Sequence, residues 1–263
     1  MDILVLIKQV PDTTEVKIDP NTGNMIREGV PSILNPFDQF ALEEAVMLKN
    51  KLGGTVTVIT LGPDQAKTAL MRCLALGADN SIHLSDYAFA GADTLATSFS
   101  LASAIKKVGK YDLIFSGQMA QDGETGQVGP EVAAMLDLPQ ATYVEEIKEI
   151  TSEKILVKSV TDEGYRIIEL KLPALIAFLP PTSFEYSNPS MSGIIKAKSK
   201  PYAVWKQADL NVPKEKCGLK GSPTRVTKIY SPAPKSKGVV FTGNIEEACK
   251  KVAEAIKESK VVK

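Results

Sequence analysis

The sequence predicts an α/β protein: a doubly wound, mostly parallel sheet with a β-hairpin and an extended C-terminal arm. Three observations predict it. Residues 3–9, ILVLIKQ, form an apolar run of strand length, as a strand buried on both faces does. Residues 55–61, TVTVITL, are a second such run, rich in β-branched residues. Helix-periodic segments separate these runs from their successors, so strand and helix alternate from residue 1 to about 137.

The elements follow in order. Residues 16–27, with Pro20-Asn21-Thr22-Gly23 at the tip, predict a small β-ribbon. Asp38 is placed to cap a helix reaching about Leu52. Ala41, Ala45, Leu48 and Leu52 keep helical spacing there, and Gly53-Gly54 stops it. Asp64 is placed to cap the next, with Ala66, Ala69, Leu70, Cys73 and Leu74 on one face and Gly77 as terminator. Residues 81–84 predict a short strand, 94–108 a helix, 112–116 (DLIFS) a strand and 127–137 a helix. Residues 154–172 alternate around Asp162-Glu163-Gly164 and predict a long hairpin. Residues 174–179, ALIAFL, are a further buried strand.

After Pro180 the character changes. Eight of the 16 prolines lie between 180 and 240, yet the stretch keeps Phe184, Tyr186, Met191, Tyr202, Trp205 and Tyr230. Proline and aromatics without periodicity predict an arm laid over another surface. The domain expectation is a core over 1–180, an arm over 181–240 and a C-terminal helix over 241–263. Asn244, with Glu247 three residues on, caps that helix; Ile245, Ala248, Val252 and Ala255 form its stripe.

Composition excludes several classes. Lysine plus arginine equals 31 and so does aspartate plus glutamate, which leaves no net-charge footprint for nucleic acid or an anionic membrane. No apolar stretch reaches membrane-spanning length, so no membrane insertion is expected. The N-terminus lacks the basic lead and apolar core of a secretory signal. Cys73, Cys217 and Cys249 form no disulfide framework, which predicts a reduced, cytoplasmic setting. One histidine, His83, excludes a multi-histidine metal site, and no metal site is expected. Ser98 and Ser116 have no GxSxG context for a triad. Cys73 reads as core, His83 as a strand-end residue with an ordinary partner, and Glu43-Glu44 and Glu145-Glu146 as solvated pairs. Lys196-Ala197-Lys198-Ser199-Lys200 lacks interleaved aromatics and suits an acidic protein surface equally well. No residue is assigned to catalysis.

In a doubly wound sheet, ligands bind beyond the carboxyl ends of the strands, where strand order reverses. Lys8-Gln9-Val10-Pro11 follows the first strand and Leu61-Gly62-Pro63 the second. The loop from Gly117 to Gln127 follows the strand over 112–116 and leads into a helix with Pro130 near its first turn. Gly117, Gly123 and Gly126 let backbone approach a ligand, and the helix-start amides with Thr125 can hold phosphate oxygens. Asp122 and Glu124 suit ribose hydroxyls. Asn35-Pro36-Phe37-Asp38 precedes a helix and can frame a base. There is no GxGxxG and no GxxxxGK[ST], so neither the usual dinucleotide loop nor a P-loop is supported. The whole suits a cofactor holder, whose protein supplies position and field.

At these residues the sequence resembles the β subunit of electron-transferring flavoproteins, over nearly its whole length. The match is carried by Lys8-Gln9-Val10-Pro11-Asp12, by Asn35-Pro36-Phe37-Asp38 with Glu43-Glu44-Ala45, by Gly77-Ala78-Asp79, and by the hairpin with Asp162-Glu163-Gly164 and Leu172-Pro173-Ala174. The hairpin departs from the family pattern at Ser159, Glu163 and Arg166. The resemblance implies a Rossmann-like fold binding an adenine nucleotide. The positions it brings to the nucleotide are Leu6, Asn35, Pro36, Phe37, Asp38, Leu61, Gly117, Gln118, Met119, Ala120, Asp122, Gly123, Glu124, Thr125, Gly126, Gln127 and Val128. It implies an α subunit with its own FAD as partner. In simple carriers the β site holds a structural AMP. In electron-bifurcating members it holds FAD, which takes a hydride from NADH and serves an FAD-containing dehydrogenase and a low-potential acceptor such as ferredoxin or flavodoxin. The short stretch from Asp122 to Pro130 resembles the bifurcating type. Met191 falls at the family's aliphatic anchor position, before Gly193-Ile194-Ile195-Lys196-Ala197-Lys198, and is expected to dock in the dehydrogenase. A stand-alone adenine-nucleotide-binding regulator and an ATP-cleaving transferase are the other readings. The arm argues against the first, and the glycine-poor Lys8-Gln9-Val10-Pro11 against the second.

Overall fold

In β1 (Asp2–Leu6), Ile3 and Val5 enter one core and Leu4 and Leu6 another, and all four are buried. This is the alternation of a strand covered on both faces. It recurs in β6 (Leu113–Gly117) and β10 (Ala174–Phe178), where Phe115 and Phe178 go to the first core and Ile114 and Leu175 to the second. The computed structural model describes residues 1–12, 31–227, 238–241 and 243–259. They fall in two compact units, Met1–Thr227 and Lys228–Lys263. The ribbon expected over 16–27, and Tyr230, lie outside the described residues.

The first unit holds a nine-stranded mixed sheet. Its order is β11 (Tyr202–Trp205), β5 (Asn80–Leu84), β4 (Thr55–Leu61), β1, β6, β10, β7 (Gln140–Ile150), β8 (Lys154–Thr161) and β9 (Gly164–Lys171). Pairing is parallel from β11 through to β7 and antiparallel from β7 to β9. A separate ribbon pairs β2 (Gln9–Pro11) with β3 (Ser32–Leu34). Helices α1 (Pro36–Leu52) and α2 (Lys67–Leu76) cover the first core; α3 (Thr94–Val108) and α4 (Val128–Leu136) cover the second. No helix of the described residues is long and apolar enough to cross a membrane.

The doubly wound α/β reading holds, and the structure corrects several of its details. Asp38 does not cap α1. The helix starts at Pro36 after Asn35, and Asp38 is buried in its first turn. A proline fits the first turn because its missing N–H has no intrahelical acceptor to lose. Asp64 opens a separate 3-10 turn over 64–66, and α2 begins at Lys67. Leu52, expected on the apolar stripe of α1, is exposed. Strand β7 was not anticipated. Its sequence QATYVEEIKEI mixes charges into the alternation because only part of it faces the core, and Glu145-Glu146 lie on it.

The largest correction concerns the arm. Residues 191–205 do not leave the core of this chain. Helix α5 (Met191–Ala197) lies on α2, so close that a Cβ on Gly193 would sit 2.4 Å from the Ala75 carbonyl oxygen. Lys200 Nζ then donates to the carbonyls of Leu74 (2.9 Å) and Ala78 (2.6 Å), at the C-terminal end of α2. Strand β11 joins the sheet edge beside β5. Upstream of α5, Phe184 meets Phe40 edge-on at 4.5 Å, while Glu43 accepts from Ser187. The short helices α6 (Gln207–Leu210) and α7 (Gly218–Gly221) follow, with Leu210 and Cys217 in the second core. In the second unit, Asn244 caps α8 (Ile245–Glu258) by accepting the Glu246 amide, and Ile245, Val252 and Ile256 are exposed.

Phe178 is fully buried between Phe115 (4.8 Å) and Phe40 (5.7 Å), in the strand beside β6. Phe178→Ala is expected to lower unfolding stability by about 3–5 kcal/mol, measured by denaturant titration. A loss below about 1 kcal/mol would show that this ring does not anchor the first core.

Candidate functional site

Strand order reverses at β1, with β4 on one side and β6 on the other. The β1–β6 ladder ends at Val5 and Phe115, and beyond it the two chains diverge. Their next amides still need acceptors. Asp38 supplies both. Its Oδ2 accepts the Lys8 N–H at 2.7 Å and its Oδ1 the Gly117 N–H at 3.0 Å. Gly117 has to be glycine for this, since a Cβ there would lie 2.4 Å from Asp38 Oδ1 and 2.6 Å from Phe37 Cβ. Burial pushes the Asp38 carboxyl up to about 7, against the lowering effect of its hydrogen bonds and of Lys8.

The loop after β6 is braced from below over its first half. Asn35 is wholly buried; its Nδ2 donates to the Met119 carbonyl (2.9 Å) and its Oδ1 accepts from the Gln121 amide (3.2 Å). Gln118 is buried as well. Its amide donates to Phe178 O and its Oε1 accepts the Tyr143 N–H, each at 2.7 Å. Lys8 Nζ pairs with Asp122 at 2.5 Å. The side chains of Asn35, Asp38 and Gln118 are therefore spent on holding the crevice. Leu6 is buried in the second core, while Leu61 and Phe37 are partly exposed.

The second half of the loop is open. Gly123, Glu124, Thr125 and Gln127 are exposed, and the chain passes through left-handed conformations at Glu124 (φ 51) and Gly126 (φ 63). It then enters α4, whose first amides have no intrahelical acceptors and carry the positive end of the helix dipole. Beneath this turn lies Ser116 Oγ, the one buried side-chain polar atom among the described residues with no partner. A Cβ on Gly129 would be 2.8 Å from it. Free amides, a bare hydroxyl and glycine at the closest approach fit a phosphate or pyrophosphate. Two nearby acids are engaged: Asp122 by Lys8, and Glu131 by the hydroxyls of Thr94 (3.2 Å) and Ser98 (2.8 Å).

Three of these features escaped sequence reasoning. Ser116 stands one residue before the expected loop, where a strand-end hydroxyl had no visible task. Lys8 was placed near the site but without a role. Tyr143 gives no local signal: it holds φ 54 in a bulge of β7, a conformation non-glycine residues seldom adopt. His83, expected at a strand end with an ordinary partner, donates from Nε2 to the Gly62 carbonyl (3.0 Å) and accepts at Nδ1 from the Tyr202 hydroxyl (2.8 Å). Glu44 is not simply solvated: burial, and then Glu146 and Glu43, push its carboxyl up to about 7. Met191 is far more exposed (75 %) than its neighbours in the core.

Comparison with known proteins gives the family. Residues 22–210 match the sequence model of the electron transfer flavoprotein domain. The chain is 49 % identical over 263 residues to the electron transfer flavoprotein subunit beta of Thermoanaerobacterium thermosaccharolyticum, covering all of both chains. It is 47 % identical over 267 aligned residues to the caffeyl-CoA reductase-Etf complex subunit CarD of Acetobacterium woodii, again covering all of both. It is 42 % identical to protein FixA of Azotobacter vinelandii, over 97 % of this chain and 92 % of that one.

Gly126 and Gly123 separate backbone need from mere exposure. A valine at Gly126 must take φ +63, whereas nothing lies within 4 Å of a Cβ on Gly123. Strain of this kind costs on the order of 1–3 kcal/mol, so Gly126→Val is expected to weaken nucleotide binding roughly tenfold or more. Gly123→Ala is expected to bind as the parent does. Nucleotide content after purification reads both, and full occupancy in Gly126→Val would remove this loop from the site.

Proposed function

The chain belongs to the electron transfer flavoprotein family as a β subunit, and on that premise we propose that its crevice holds FAD. Joined to an α subunit with its own FAD, it passes electrons from NADH to an FAD-containing dehydrogenase and to a low-potential acceptor such as ferredoxin or flavodoxin. The observation that supports FAD over AMP is the short loop from Asp122 to Pro130, which enters α4 by Val128. A flavin, when bound, supplies hydride acceptance and single-electron transfer.

The work of this chain is then positional. The α4 amides and Ser116 hold the phosphates. Gly126 brings backbone against the ligand, and Thr125 and Glu124 face it from the open half of the loop. Asn35, Asp38 and Gln118 fix that loop from below, so the site is preformed and little ordering is left to the binding step. Among the described residues at the crevice, the side chains brace the loop rather than attack or shuttle a proton. The chemistry is that of the complex, with this chain as an electron-transfer subunit. The caffeyl-CoA reductase-Etf relative is named for a complex with a reductase, which supports a dehydrogenase-type partner here.

Docking to that dehydrogenase is assigned to α5. Ser190 caps it by accepting the Gly193 N–H (3.1 Å). Met191, Ile194 and Ile195 share one helix face and are 75 %, 43 % and 63 % exposed. A flexible thioether on a helix fixed by Gly193 and Lys200 makes an adaptable apolar plug on a rigid mount.

Extraction of the purified heterodimer is expected to yield two FAD and no AMP, with direct reduction by NADH. One FAD plus one AMP, and no NADH oxidation, would move the chain to the simple-carrier reading. A nucleotide-binding chain that purifies alone and fully active would favour the regulator.

Truncating a buried apolar anchor costs on the order of 2 kcal/mol, about thirtyfold in affinity. Met191→Ala is therefore expected to weaken dehydrogenase binding by about that factor, with heterodimer formation and NADH-dependent flavin reduction intact. Unchanged dehydrogenase affinity, or a heterodimer that falls apart, would remove Met191 from that contact.

A further inference from the structure

We infer that Asp38 is a positioning residue: as a carboxylate it ties the ends of β1 and β6 together under the nucleotide, so the crevice retains its ligand only while that carboxylate is ionised. The inference rests on the reading that the crevice holds an adenine nucleotide.

The geometry demands an anion. Each oxygen of Asp38 faces a backbone N–H, Lys8 at 2.7 Å and Gly117 at 3.0 Å. A protonated carboxyl would turn its own hydrogen toward one of these donors, and that contact would be lost. Either loss reaches the ligand. Lys8 also holds Asp122 through its ammonium, and Gly117 begins the loop whose far half carries the open amides. The side chain is buried, so a missing partner there is costly.

Among the described residues, the groups facing Asp38 are few. From the end of β1 comes the Lys8 ammonium, already paired with Asp122 of the loop. From α2 comes the Cys73 thiol, fully buried and raised by that burial. Asn35 faces it from its own helix start. Burial raises Asp38 to about 7 from an ordinary 3.8. Between those values the folded chain binds a proton that the unfolded chain does not. Fold stability therefore declines as pH rises toward 7 and is level above it. Nucleotide affinity runs the other way, because the ligand needs the ionised form. A carboxylate with no part in the crevice would leave nucleotide affinity level across that window while fold stability still declined.

The test titrates FAD and AMP separately into the heterodimer after its β-site nucleotide has been removed. For whichever nucleotide binds, affinity is expected to fall about tenfold per pH unit below about 7, while the melting temperature does not fall in that window. Asp38→Asn is expected to bind weakly and to lose this dependence; comparison with it also subtracts the titration of AMP's own phosphate. Calorimetry in two buffers of different ionisation heat should show up to about one proton released per nucleotide near pH 7. That release should persist in Glu44→Gln, since Glu44 also titrates near 7. The same pH profile in the parent and in Asp38→Asn, or no proton release in the parent, would overturn the inference. If Asp38→Asn does not fold, the proton count in the parent and in Glu44→Gln decides alone. Binding of AMP but not FAD would sink the FAD reading and leave Asp38 to be judged on the AMP profile.

Discussion

Two parallel strands that leave a sheet in different directions expose backbone amides at the point where they part. At the reversal of strand order these are the amides of Lys8 and Gly117, and one carboxylate, Asp38, accepts both. Much of the crevice depends on this arrangement. To reach both strands Asp38 must sit in the first turn of α1, so that helix must start at Pro36. Starting there places Asn35 directly under the loop after β6, where both ends of its amide are used. The lack of a Cβ at Gly117 is what lets the carboxylate come so close. A buried acid is costly in isolation. Here the same burial fixes the spacing of the two strands and makes the group sensitive to protons.

The loop after β6 divides by function as a result. Its first half is braced by buried side chains that have no freedom left to meet a ligand. Its second half, from Gly123 into α4, has few internal partners and offers backbone instead. Such a division suits a chain whose cofactor does the chemistry: binding requires exposed donors, and orientation requires that they not move. Two of the acids around the mouth are taken up by partners. Lys8 neutralises Asp122, and two hydroxyls occupy Glu131.

The parallel core was legible because burial on both faces leaves an unmistakable apolar run, as in ILVLIKQ and ALIAFL. Helix α2 was legible through its spacing and its terminal Gly77. Strand β7 was not, because it is half in the core and half beyond it and contains a bulge, so neither a continuous run nor a clean alternation survives. The residues thought to leave the core failed for a related reason. Helix α5 is short, and β11 is a four-residue edge strand. Their burial comes from contacts with α2 and β5 that are distant in sequence, through Gly193, Lys200 and Tyr202, and no local period records them. At the site, the glycines drew attention to the loop after β6. What the glycines could not show was that Asn35, Asp38 and Gln118 face inward, since a polar residue beside a loop reads the same whether it braces the loop or touches the ligand.

The correction at α5 bears directly on the electron path. An arm draped over a partner would leave Met191 at a distance from the crevice set by a flexible chain. Instead Met191 rides on a helix locked to α2 by a backbone contact at Gly193 and by the Lys200 ammonium. The strand that follows α5 is hydrogen-bonded into the same sheet that ends in the crevice, and through Tyr202 and His83 it reaches the carbonyl of Gly62, in the loop after β4. Met191 and the β4 side of the crevice thus belong to one compact unit. A dehydrogenase that grips Met191 would be held against that unit directly, so the placement of the two flavoproteins would follow from the sheet and its helices rather than from the length of a linker. For electron transfer, which falls steeply with distance, a short rigid helix serves better than a long mobile arm.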